Sequence, residues 1–64
     1  MLTNSRDIRK RLETEGWRLE RIRGSHHVFR HPANGAIIVL PHPKKDLGYG
    51  LVRAIYRAAG WKID

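Results

Sequence analysis

The residues of this chain that could do chemistry are its four histidines and thirteen Lys and Arg side chains. Imidazole is the side chain that exchanges protons near neutral pH without help from its surroundings. Gly24-Ser25-His26-His27 places one straight after a Gly-Ser break, at the mouth of the strand-like run Val28-Phe29-Arg30-His31. A histidine at such a lip could take the 2′-hydroxyl proton of RNA or protonate the leaving 5′-oxygen. Cations must then hold the phosphate, and Arg23, Arg30, Lys44 and Lys45 are the candidates. Read from the residues alone, an ordinary surface histidine at a loop edge is the better account of His26.

The other candidates have simpler readings. His27 and His31 are expected as core or rim histidines whose ring nitrogens the backbone satisfies. A zinc site takes three or four ligands, and no third ligand stands near that pair, so neither a metal nor a cofactor is expected. Ser25 lacks a nucleophile-elbow pattern and a nearby Asp, and reads as a turn residue. Gly48-Tyr49-Gly50 could cradle a phosphate on backbone N–H groups or simply lead into a helix. It lacks the Lys-Ser/Thr of a nucleotide-hydrolysing loop.

The elements that must position these residues follow from periodicity. Asn4 or Ser5 caps a first helix, Asp7 favours its positive end, Ile8 and Leu12 share a face, and Gly16 ends it. Trp17 to Ile22 alternates as a strand. A second strand runs from about His26 to His31 and a third from Ala36 to Leu40, joined by Pro32-Ala33-Asn34-Gly35. Pro41 and Pro43 stop the third strand. A Lys-rich loop leads to a last helix from about Gly50 to Ala59, with Leu51, Ile55 and Ala58 as its stripe and Gly60 as its stop. The order is α-β-β-β-α in one domain, residues 1–64.

Hairpin geometry sharpens this. A two-residue turn sets Phe29 opposite Leu40, and a four-residue turn sets it opposite Ile38. Either way, His27, Phe29, His31, Ala36, Ile38, Leu40 and by extension His42 share one sheet face, because side chains alternate. That face carries the larger apolar payload and is expected under both helices. The other face holds His26, Val28, Arg30, Ile37 and Val39, and is expected to be open. Exposed Val28, Ile37 and Val39 would then form a docking surface.

Composition narrows the function classes. A formal net charge of +7 points to a polyanionic partner: nucleic acid, an anionic surface or an acidic protein. The chain has no cysteine, which fits a reducing compartment, and disulfides and thiolate ligands are excluded. Its first residues lack the apolar core of a signal peptide, and no apolar run approaches a membrane span. A cytoplasmic protein without membrane contact is expected.

Taken together, these features resemble the HicA toxins of HicA–HicB toxin–antitoxin systems over essentially the whole chain. The matching residues are the first helix ending in Gly16-Trp17, Gly24-Ser25-His26-His27 with Phe29 and His31-Pro32, Pro41-His42 with a following lysine, and the last helix ending Ala59-Gly60. The resemblance implies an α+β fold like a double-stranded-RNA-binding domain, with a three-stranded antiparallel sheet packed on one face by two helices. It implies a metal-independent endoribonuclease acting on messenger RNA, with His26 as the catalytic histidine. It also implies a HicB-type antitoxin as partner, so the chain is expected as a monomer when alone and a hetero-oligomer with the antitoxin. The segment Asp46–Leu51 is more hydrophobic than the Lys-rich loop of the family. Two rivals remain: a non-catalytic RNA-binding module of the same fold, and a protein-docking module for an acidic partner.

Overall fold

Asn4 opens the first element: its extended backbone and its side chain, which accepts the Arg6 N–H at 2.8 Å, cap α1 (Ser5–Thr14). In the computed structural model, which describes residues 1–63, α1 is followed by β1 (Arg18–Arg23), β2 (His26–Arg30), β3 (Ile37–Pro41) and α2 (Tyr49–Ala59). The three strands form one antiparallel sheet in the order β1-β2-β3. The α-β-β-β-α order read from periodicity is therefore the observed one, and the fold class is α+β.

Register decides what each face carries. Phe29 lies opposite Ile38, and His31 N–H donates to the Ala36 carbonyl at 2.9 Å, so the β2–β3 connection has four residues. Ile8 and Leu12 from α1, Phe29, Ile38 and Leu40 from the sheet, and Val52, Ile55 and Tyr56 from α2 make the core, closed by Trp17, Leu47 and Trp61. Trp61 is fixed three ways. Its indole N–H donates to Glu15 at 2.7 Å, its ring meets Tyr56 edge-on, and the Arg11 guanidinium lies 4.1 Å from its centroid. This ties the end of the chain to the end of α1.

Two expectations are corrected. The buried stripe of α2 is Val52, Ile55 and Tyr56, whereas Leu51 and Ala58 are exposed. The helix is rotated about one residue from the sequence reading, because Tyr56 buries more apolar surface than Ala58 could. Val28, expected to be exposed, is buried at 5% exposure. It sits in the central strand between Arg21 of β1 and Val39 of β3, whose side chains share its face and cover it. Ile37 and Val39, in the edge strand, are exposed as expected. All six residues of β1 are exposed, so the helices cover β2 and β3 and leave β1 overhanging.

Candidate active site

The Gly24–Ser25 break is a two-residue hairpin, since Arg23 pairs with His26. Gly24 has φ +58° while no non-glycine residue has positive φ, the pattern of a type II′ turn with Gly at its first central position. A Cβ at Gly24 would meet nothing within 4 Å, so its backbone angle, not space, calls for glycine. The turn sets His26 at the start of β2, exposed and opposite Pro41. Its register puts it on the open face, with Arg23 directly across on β1.

His27 points the other way. Its ring meets His42 edge-on, with centroids 4.9 Å apart. His42 is aligned there because its backbone N–H donates to the Ser25 carbonyl at 2.7 Å, continuing the β2–β3 ladder past the strand. His42 Nδ1 shares a 2.8 Å hydrogen bond with Oγ of Ser5, the first residue of α1 and almost wholly buried. Ser5 Oγ also accepts the Lys44 N–H at 2.8 Å, and Ser5 N–H donates to the Lys44 carbonyl at 2.9 Å. The Lys-rich loop is thereby stitched to the start of α1. His27 Nδ1 is buried without a hydrogen-bond partner.

A cleft of about 340 Å³ opens beside this cluster, lined by Asn4, Arg6, His42, Pro43, Lys44 and Lys45. Burial pushes the His42 pKa below its ordinary value, and the neighbouring His27 and Arg9 push it the same way. The His42 ring therefore favours its neutral form, with one nitrogen held by Ser5. Such an imidazole is a proton acceptor or donor of fixed direction beside three cations.

The sequence-named residues thus fall into two groups. His26 and Arg23 share the open face at one end of the sheet, while Lys44 and Lys45 line the cleft on the helix side. Arg30 is at the far end of β2 from His26. It donates to Glu20 at 2.8 Å and to the Gly35 carbonyl, and this pairing lowers the Glu20 pKa. The bulge between Leu19 and Arg21 is what brings Glu20 to that partner. The ion pairs Arg9–Glu13, Arg11–Glu15 and Arg30–Glu20 leave Arg6, Arg23, Lys44 and Lys45 without a carboxylate among the described residues. No group of three or more His, Cys, Asp or Glu side chains that could hold a metal ion gathers among them. Sequence reasoning missed the Ser5–His42–His27 cluster. The shared parity of His27 and His42 was its one legible signal, and nothing in the sequence tied Ser5 to them.

No helix of the described residues is long and apolar enough to cross a membrane. No curated protein matches the chain. A family model described as the HicA toxin of bacterial toxin–antitoxin systems matches residues 5–61, from the start of α1 to the tryptophan that closes the core. That span takes in every strand, both helices and both histidine groups, and the chain belongs to the HicA toxin family.

Proposed function

We propose that this toxin is a metal-independent endoribonuclease that cleaves messenger RNA in the cytoplasm and is held in check by a HicB-type antitoxin. The observation that carries the reading is the gathering, at one end of a small basic sheet, of three imidazoles and four cations that have no carboxylate partner among the described residues. A histidine acting as base takes the proton of a 2′-hydroxyl, whose oxygen attacks the adjacent phosphorus. The P–O5′ bond breaks and the leaving oxygen takes up a proton. The products are a 2′,3′-cyclic phosphate and a 5′-hydroxyl end, and DNA, lacking the nucleophile, resists. Arg23, Lys44, Lys45 and the first-turn Arg6 hold phosphates; Arg30, paired with Glu20, contributes less charge.

His26 is the first assignment for the acid–base group, because it is exposed beside the hairpin turn and follows Gly-Ser, the position the family resemblance implies for the catalytic histidine. A second assignment, His27 with His42, is favoured by a specific observation. Those two rings are in contact, one is aimed by Ser5, and their cleft holds Arg6, Lys44 and Lys45. RNA cleavage by His26→Ala, His27→Ala and His42→Ala, with folding checked by circular dichroism, separates the assignments. Loss confined to His26→Ala supports the first, and joint loss in the other two supports the second. Cleavage retained by all three variants would leave the RNA-binding module as the better description.

The antitoxin is expected to dock on the open face through Ile37 and Val39, with Val28 beneath them offering little accessible surface. Antitoxin and RNA would then compete for the open face that carries His26, and inhibition would need no change of shape.

A further inference from the structure

β3 is a sheet edge with no further strand beside it among the described residues. Backbone bonds pair His31 with Ala36 and Ser25 with His42. Antiparallel alternation then gives Ile38 and Leu40 their partners in β2 and turns the N–H and C=O groups of Ile37 and Val39 outward. Among the described residues, no backbone bond outside the ladder satisfies them. Ala36–Leu40 also carries no charged residue, so Pro41 at its end is the single device that blunts this edge.

The same edge borders an apolar groove of about 220 Å³. Ile37 and Val39 line one wall, and Leu51, Ala54 and Ala58 of α2 line the other. Ile37 is 47% exposed, Val39 45% and Leu51 37%. Leu51 and Ala58 are the α2 residues that the corrected helix rotation turns away from the core. On α2, Arg57 is one turn from the groove residue Ala54, the Arg53 guanidinium lies 5.6 Å from the Tyr49 ring centroid, and neither α2 nor β3 contains an acidic residue.

We propose that β3 accepts an extended segment of the antitoxin as a fourth, edge-added strand. Its apolar side chains would fill the β3–α2 groove and a flanking carboxylate would meet Arg57. Main-chain bonds to a bare edge supply affinity, and alternate side chains in a groove supply specificity. Charge selects the occupant. A second copy of this chain would oppose a +7 molecule with another +7 across elements that hold no carboxylate, whereas an acidic strand complements that charge. The identity of the partner rests on the toxin–antitoxin reading; the strand addition rests on the edge, the groove and the net charge.

The test is an NMR titration of the ¹⁵N-labelled chain with a synthetic peptide of about twelve residues, alternating Val and Thr and flanked by Glu, against the same core flanked by Lys. The expected result is slowed amide exchange at Ile37 and Val39 with the Glu-flanked peptide and at least about tenfold weaker binding of the Lys-flanked one. The double variant Ile37→Lys/Val39→Lys, both exposed positions, should keep its melting temperature and lose the binding. Equal binding of both peptides, binding that survives the double variant, or no protection at β3 would overturn the proposal. So would a dimer in light scattering that the double variant dissolves, since the occupant would then be a second copy. RNA cleavage by the unvaried chain is read separately and bears on the toxin reading alone.

Discussion

At the scale of single residues, the environment of each imidazole sets what it can do. His26 stands exposed at a turn, while His27 and His42 are half-buried in ring contact. Loss of a general acid–base group costs about 10²–10⁴-fold in rate. We expect that drop in His26→Ala with an unchanged melting temperature, or in His27→Ala and His42→Ala under the second assignment, measured on a defined RNA by single-turnover cleavage. His42 makes a separate prediction about stability. Burial, then His27 and Arg9, lower its folded-state pKa below the ordinary 6.5. A depressed folded pKa means the unfolded chain binds more protons as pH falls. Stability from this site is therefore complete above about pH 6.5 and is lost as pH drops through the folded value. Melting temperatures taken from pH 8 to pH 5 should fall on the acid side, and His42→Gln should flatten that slope. An unchanged slope would show that His42 does not carry the dependence.

At the scale of elements, the helix ends can be tested one by one. Asn4 accepts an N–H of the first turn, and Asn4→Ala should cost about 1 kcal/mol. Because Ser5 begins the helix and bonds both His42 and Lys44, fraying there should also loosen the cleft. Gly60 closes α2 at φ +75° with open space around its Cβ position. Gly60→Ala should cost about 1 kcal/mol through backbone strain alone. Each kcal/mol should lower the melting temperature by about 4–8 °C in a domain of this size. The bulge in β1 has a different role. It lets Glu20 pair with Arg30, which removes one cation from the open face without changing the register of β2 on β3.

At the scale of the whole molecule, charge governs association. With about four cations on phosphates, the logarithm of RNA affinity should fall against log salt with a slope of about −3. Lys44→Ala should reduce that slope by about 0.7, and a slope near zero would favour the protein-docking module. The sequence by itself determined the order of elements, the hairpin at Gly24–Ser25, the parity that puts His26 and His27 on opposite faces, and the basic surface. These are local matters: a period, a glycine at positive φ, a count of charges. It also carried the motifs that place the chain in its family. It left open whether Phe29 faces Ile38 or Leu40, because two loop lengths fit the same residues. It misplaced the buried stripe of α2, because a helix with apolar residues on several sides is oriented by what it packs against, here Tyr56 against Trp61. Burial of Val28 was likewise a matter of neighbours, supplied by strands on both sides. Ser5 joined His42 and His27 only through tertiary structure, because a contact across 37 residues has no periodic trace in the chain.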